Sequence, residues 1–239
     1  MDMRFVENFP ALVLDDKYLV IADLHFGSPN IFDLSTITFF IENDCRRLLS
    51  ILRDKNFEAL VIAGDVKDKL SARLPMSVKD EIVKCFTTIL KEVNEVVIVV
   101  GNHDGGISNL FSGFDNIRVT EKFFLKEGEY AILIIHGHKK ISVKSLSDIN
   151  LLISAHIHPG FKVRLNNLSV IVKAWFVADL LLADKKEITW IIIPSFSSLI
   201  SGIALNILSE TEIKQLSPFR GDVEVLSRKF FLLDLTPIE

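Results

Sequence analysis

The stretch "VVIVVGNHDGG", Val96 to Gly106, passes from an unbroken β-branched run straight into an amide, an imidazole, a carboxylate and two glycines. A continuous apolar run of this kind reads as a strand buried on both faces, as in a parallel sheet covered by other layers. Polar groups at its C-terminal end lie where open α/β sheets gather their sites. The same grammar appears upstream. "YLVIADLH" (Tyr18–His25) and "ALVIAGD" (Ala59–Asp65) are short apolar strands that each run into a carboxylate.

Working outward, "ALVL" (Ala11–Leu14) and "YLVIA" (Tyr18–Ala22) flank Asp15-Asp16-Lys17 and predict a hairpin. Residues Asp33 to Arg53 place Phe40, Ile41, Cys45, Leu48, Leu49 and Leu52 at helical spacing, with Asp33 or Ser35 as N-cap. "SVKDEIVKCFTTILKEV" (Ser77–Val93) predicts a second amphipathic helix. Strands alternating with helices imply a parallel sheet. From residue 130 the pattern changes. "YAILIIH", "LLISAH", "LSVIV", "AWFVADLLL", "ITWIII" and "KFFLLDL" follow one another with short gaps and little helix. They predict a second, more antiparallel sheet packed on the first, with helices outside.

The chain has 239 residues, with no linker-like tract or internal repeat, and reads as one domain, 1–239. Its net charge of −4 gives no sign of a broad basic surface. Cys45 and Cys85 lie in the two helical segments and read as reduced core residues, and "MDMRFVENFP" lacks a signal-peptide core. A cytoplasmic protein is the expectation. Ile188 to Leu208 carries no charge and has the length of a bilayer span. Pro194, Gly202, the serines and the β-branched "ITWIII" instead predict a buried strand followed by a loop, and no membrane association.

The chain has six histidines, and each sits where an apolar run gives way to a loop: His25, His103, His136 with His138 in "LIIHGHKK", and His156 with His158 in "LLISAHIHPG". Asp23, Asp65, Asn102 and Asp104 share those strand ends. Any one of them is as well explained as a turn former or cap. Together, carboxylates, imidazoles and an amide oxygen are ligands for Mn²⁺, Fe²⁺, Zn²⁺ or Ni²⁺, in a number that exceeds what one ion needs. Two ions sharing a carboxylate is an arrangement that hydrolyses phosphate esters. In "AHIHPG" an extended backbone would point His156 and His158 to one side and Ile157 into the core. Lys139, Lys140 and Lys144 read as a solvated face, Arg46, Arg47 and Arg164 have no assigned role, and Phe39-Phe40 and Phe230-Phe231 read as core.

In chain order, "DLH" at 23–25, "GD" at 64–65, "GNHD" at 101–104, "HGH" at 136–138 and "AHIH" at 155–158 resemble the motifs of the calcineurin-like metallophosphoesterases, with Ala155 in place of a glycine. The resemblance implies a four-layer α/β/β/α sandwich of two mixed sheets, with a dimetal site at the strand C-terminal ends. By the same resemblance Asp23, His25 and His158 would hold one divalent ion, Asn102, His136 and His156 a second, and Asp65 would bridge them, Mn²⁺ being foremost. A hydroxide between the ions would attack phosphorus. His103 would serve the leaving oxygen with Asp104 orienting its ring, and Asn102 and His138 would touch substrate. "ADLHFG", "GDVK", "HP" and "IIIPSFSSLISG" are further similar to the predicted ICC-like phosphoesterases, which include the DNA-ligase-associated enzymes of bacteria. Asp68 stands where that subgroup often has histidine. This implies a phosphodiesterase acting on a nucleotide or nucleic acid, with a link to DNA repair. A phosphomonoesterase with the same metal site is the alternative. A non-catalytic metal-stabilised binding module is another, and the complete ligand set speaks against it.

Overall fold

The computed structural model describes residues 2–27, 33–68, 74–166 and 168–238. The predicted hairpin and parallel strands form one sheet in chain order: β1 (Met3–Phe5), β2 (Leu12–Leu14), β3 (Tyr18–Ile21), β4 (Ala59–Ile62), β5 (Glu95–Val99) and β6 (Ile117–Thr120). β1 to β3 pair antiparallel and β3 to β6 run parallel. Helix α1 (Leu34–Leu52) connects β3 to β4, and α2 (Met76–Ile89) connects β4 to β5. The Asp33 carboxylate accepts the Thr36 N–H at 2.8 Å, satisfying a donor that the first turn of α1 leaves open. Ile37, Ile41, Cys45, Leu48 and Leu52 then repeat every three or four residues and are buried, so this stripe packs on the sheet.

The uniform hydrophobicity of β4 has a direct cause. Leu60 and Ile62 face the helices, while Val61 faces a second sheet. Each fully buried aliphatic side chain of this kind contributes about 1.5–3 kcal/mol.

After the single turn α3 (Ile107–Leu110) and β6 come β7 (Phe123–Glu127), β8 (Tyr130–Ile134), β9 (Ile141–Ser142), β10 (Leu151–Ser154), β11 (Pro159–Leu165), β12 (Leu168–Leu182), β13 (Glu187–Ile192), β14 (Ile203–Ala204), β15 (Phe219–Arg220), β16 (Val223–Leu232) and β17 (Pro237–Ile238). The second sheet has the order β14-β11-β12-β13-β10-β8-β7, with β16 against β12 and β17 against β16; β9 and β15 form a separate ribbon. It is mixed, since β8, β10 and β13 are parallel and the other long pairings antiparallel. Its outer helical layer is thin: α4 (Glu210–Leu216) and 3₁₀ turns at Val143–Leu146 and Leu205–Ile207 supply Ile213, Leu146 and Leu205 to the outer core.

Three expectations about strands, cysteines and backbone change. "LSVIV" and "AWFVADLLL" are one 15-residue strand, β12, because the Lys173 between them is no turn former and a strand accommodates it on one face. Leu168–Lys173 pair with β11, and from Ala174 onward the strand runs between β13 and β16. Cys45 and Cys85 are buried as expected but not reduced. They form a disulfide between α1 and α2 with a Cα–Cα separation of 5.9 Å. The two helices lie side by side on the sheet, and their apolar stripes bring the thiols together. Disulfides are uncommon in reducing compartments, so this pair lends no support to the cytoplasmic expectation. The uncharged segment from Ile188 is β13, a loop, β14 and a 3₁₀ turn, and no helix among the described residues is long and apolar enough to cross a membrane. The third change concerns the backbone at His156, described with the site.

Candidate metal centre

Five strand ends from the two sheets converge. Asp23 and His25 follow β3, Asp65 follows β4, Asn102 to Asp104 follow β5, His136 follows β8, and His156 and His158 follow β10. Asp23, His25, Asp65, His156 and His158 all adopt left-handed φ, between 46° and 69°. Such a conformation costs a non-glycine residue about 1–3 kcal/mol and persists only where surrounding bonds impose it. The bonds are present. Asp23 N–H donates to the Gly64 carbonyl at 3.0 Å and His25 N–H to the Asp65 carbonyl at 2.8 Å, so the two turns brace each other.

The predicted extended "AHIHPG" gives way here. β10 stops at Ser154, and Ile157 N–H donates to the Ala155 carbonyl at 2.8 Å around His156. This is a γ-turn, and it swings both imidazoles back toward the first sheet. Ile157 does enter the core. Two glycines permit the close packing of the turns. A Cβ on Gly64 would lie 2.2 Å from His136 Nδ1, and one on Gly101 2.1 Å from Asp65 Oδ1.

The side chains expected as ligands form two clusters, and His25 also groups with Asp68 and His103. Ligand atoms of Asp23, His25 and His158 lie within 4.8 Å of one another, as do those of Asp65, His136 and His156. His136 gives its Nδ1 proton to the Ala63 carbonyl at 2.9 Å, and His25 gives its own to Asp68 Oδ1 at 3.0 Å. A carbonyl and a carboxylate only accept, so in both rings Nε2 is the nitrogen left to face the site, with a lone pair free for an ion when the ring is neutral. The Nε2 of His136 meets Asn102 Oδ1 at 3.1 Å and Asp65 Oδ2 at 3.3 Å. That of His25 meets His158 Nε2 at 3.1 Å and the same Asp65 Oδ2 at 3.7 Å. Asp65 Oδ1 is taken by the His103 N–H at 2.8 Å. One oxygen of Asp65 therefore stands between the clusters while the other anchors a loop.

Asp23 is fully buried, and its Oδ1 has no hydrogen-bond partner among the described residues. A buried carboxylate oxygen without a partner is what a cation satisfies, and the set of oxygen and imidazole ligands around it suits a divalent first-row ion. Without an ion, burial pushes the Asp65 carboxyl up, but the hydrogen bond and charge of His136 outweigh it and hold the carboxyl at about 2. Burial likewise works against a charged His136, and Asp65 and Asp23 raise it to about 9.

His103 and Asp104 are placed differently from each other. His103 sits beside His25, with ring centroids 5.2 Å apart, and its Nδ1 donates to the Asp68 backbone carbonyl. Asp104 is buried, and its carboxylate accepts the backbone N–H groups of Val66 at 2.9 Å, Lys67 at 3.4 Å and Gly101 at 2.9 Å. The expectation that Asp104 orients the His103 ring is thus replaced: Asp104 ties two ligand loops together, and Asp68 orients the ring. Asp68 does so through its backbone while its side chain holds His25. Burial raises the Asp104 carboxyl above its ordinary range. His138 is outside both clusters, its ring 5.2 Å from that of His136, with Nδ1 buried and without a partner among the described residues.

Sequence reasoning missed the support beneath Asp23. Its carbonyl accepts Ser195 Oγ at 2.7 Å and the Ser197 N–H at 3.2 Å. Lys173 Nζ donates to the carbonyls of Ser195 and Ser197, and Asp44 Oδ2 accepts the Ser198 N–H at 2.9 Å. Arg47 donates to Asp44 at 2.8 Å and to the Phe196 carbonyl at 3.2 Å. The signal was Lys173, a charge between two apolar runs of one strand.

The sequence signature of the calcineurin-like phosphoesterases matches residues 17–224. The chain belongs to that family. This phosphoesterase shares its fold with the nuclease MPE of Pseudomonas putida, at 20% identity and a TM-score of 0.59, over 99% of this chain and 100% of that one. The Escherichia coli phosphoesterase Yfce is also similar, at 14% identity and a TM-score of 0.45, over 93% of this chain and 96% of that one. None of the curated proteins matches in sequence. As a member of the family the protein is a hydrolase of phosphate esters that uses divalent metal, and the two clusters are where its residues could hold it.

Proposed function

We propose that this phosphoesterase is a two-metal phosphodiesterase acting on nucleotide or nucleic-acid esters. The observation that carries the reading is Asp65 Oδ2, which faces His25 Nε2 at 3.7 Å and His136 Nε2 at 3.3 Å. Asp23, His25 and His158 would hold one ion, Asn102, His136 and His156 the other, and Asp65 both. Mn²⁺ is the foremost candidate. Bound there, the ions would supply a nucleophile at neutral pH and neutralise phosphoryl charge.

The chain's own residues do the rest. Asp68 fixes the His103 ring through Nδ1–H, so only when the ring carries a second proton, on Nε2, can it hand one to the leaving oxygen. Asp104 keeps the loops carrying Asp65 and His103 in register. Asn102 and His138 border the second cluster and would meet phosphoryl oxygens. The fold likeness to a nuclease over the whole of both chains favours a diester over a monoester.

The test is a metal assay joined to a substrate panel. Protein saturated with Mn²⁺ should hold two ions per chain, lose activity on chelation and regain it with Mn²⁺. A bis-aryl phosphate should be cleaved faster than a mono-aryl phosphate. One ion or none at saturation, or a monoester preference, would overturn the respective part.

A further inference from the structure

The β11–β12 hairpin extends beyond the metal centre, and its two faces can be told apart residue by residue. In β12, Ala174, Phe176 and Ala178 pack into the outer core, whereas Trp175 and Val177 pack between the sheets. Strand alternation carries the inner face back through Lys173, Ile171 and Ser169. Antiparallel pairing sets Gly160 opposite Lys173, Lys162 opposite Ile171 and Arg164 opposite Ser169. Directly paired residues share a face, so Lys162 and Arg164 project from the side that faces the first sheet and the cleft. Phe161 and Val163 confirm the assignment, since both pack into the outer core.

Both cations are exposed, and neither has an ion-pair partner among the described residues. Arg4, Arg53, Lys84, Arg118 and Lys139, by contrast, pair with Asp16, Glu92, Glu81, Glu95 and Glu121. They stand on a fixed support. Asn206 Oδ1 accepts the Lys162 N–H at 2.8 Å and its Nδ2 donates to the Lys162 carbonyl at 3.2 Å, which pins the strand where β14 ends. β11 starts directly after His158, so Lys162 lies about 13 Å along the strand from that histidine and Arg164 about 7 Å further. The metal clusters are recessed, with Asp23, Asp65 and His136 at most 1% exposed. A stiff duplex is less able than a flexible single strand to bring one diester down to ligands this buried.

Resting on the phosphodiesterase reading above, we infer that the inner face of the β11–β12 hairpin is a track for the backbone of a single-stranded nucleic acid, with Lys162 and Arg164 contacting phosphates outside the scissile one. A mononucleotide or small diester held at the metals does not reach these residues.

The test measures binding of a fluorescent single-stranded DNA 20-mer by anisotropy in EDTA, independently of catalysis, alongside hydrolysis of the same oligomer and of bis-nitrophenyl phosphate in Mn²⁺. Lys162→Glu with Arg164→Glu should weaken oligomer binding at least tenfold. The milder double variant to Gln should reduce the slope of log affinity against log salt by about 1.4, two phosphate contacts at roughly 0.7 each. Activity on the oligomer should fall at least tenfold more than on the small diester. Equal losses on both substrates, an unchanged salt slope, or wild-type protein that cleaves the small diester but binds no oligomer would overturn the track and leave the metal-site reading standing. Failure of wild-type protein to cleave either ester with Mn²⁺ would overturn the function itself.

Discussion

The Nε2 atoms of His25 and His158 stand 3.1 Å apart, and Asp23 Oδ2 lies 3.4 Å from His158 Nε2. His25 already gives its Nδ1 proton to Asp68. A cation held among these groups would also reach the buried Asp23 Oδ1, which has no hydrogen-bond partner among the described residues. Removing metal should therefore lower the thermal midpoint, and Mn²⁺ should restore it. An ion at a hundredfold excess over its Kd stabilises by about 2.7 kcal/mol. Calorimetry of protein before and after verified metal removal checks this, and an unchanged midpoint would contradict it.

Asp65 and His103 should fail in different ways. Asp65→Asn keeps the shape and the His103 N–H contact but removes the charge shared by both clusters, so metal content should collapse for every substrate. His103→Ala should retain metal and lower kcat by about 10²–10⁴ on an alkoxide ester. Its deficit should shrink on a nitrophenyl ester, whose leaving group needs little protonation. Metal loss in the His103 variant would reassign that residue.

Gly64→Ala and Gly101→Ala should each damage the centre without touching a ligand. The new methyl would fall within 2.2 Å of His136 Nδ1 or 2.1 Å of Asp65 Oδ1. Gly64 also has φ of 91°. Both variants should bind Mn²⁺ at least tenfold more weakly by isothermal titration, while Gly113→Ala, with open space around it, should match wild type.

Thiol titration of the unfolded, unreduced protein should find no free cysteine. The disulfide closes a separation of 40 residues, for which chain entropy gives at most about 4 kcal/mol. Reduction, or Cys45→Ser with Cys85→Ser, should lower the midpoint by several degrees. Equal melting of oxidised and reduced protein would show that the link does not constrain the chain.

The strand ends that carry the candidate ligands were legible because their chemistry is local: an apolar run, then a polar group. The turns themselves were not. Two histidines spaced by one residue read as one face of a strand, yet left-handed backbone at His156 and His158 does the work, and such φ values are imposed by long-range bonds. The pairing of Cys45 with Cys85 depends on how α1 and α2 lie on the sheet, which periodicity within each helix cannot specify. Asp104 was read by its neighbour in sequence, but its carboxylate answers to backbone groups 37 and 38 residues away.

The bond from Ser195 Oγ to the Asp23 carbonyl spans 172 residues. At about 5–20 residues per second, the ribosome makes Asp23 roughly 10–30 s before the serine that braces it. During that interval the emerging chain holds several candidate ligands but not the serine that supports the Asp23 carbonyl. Closure of so distant a contact is among the slower events in folding. The brace beneath Asp23 is thereby completed only once β13 and the loop after it have been translated.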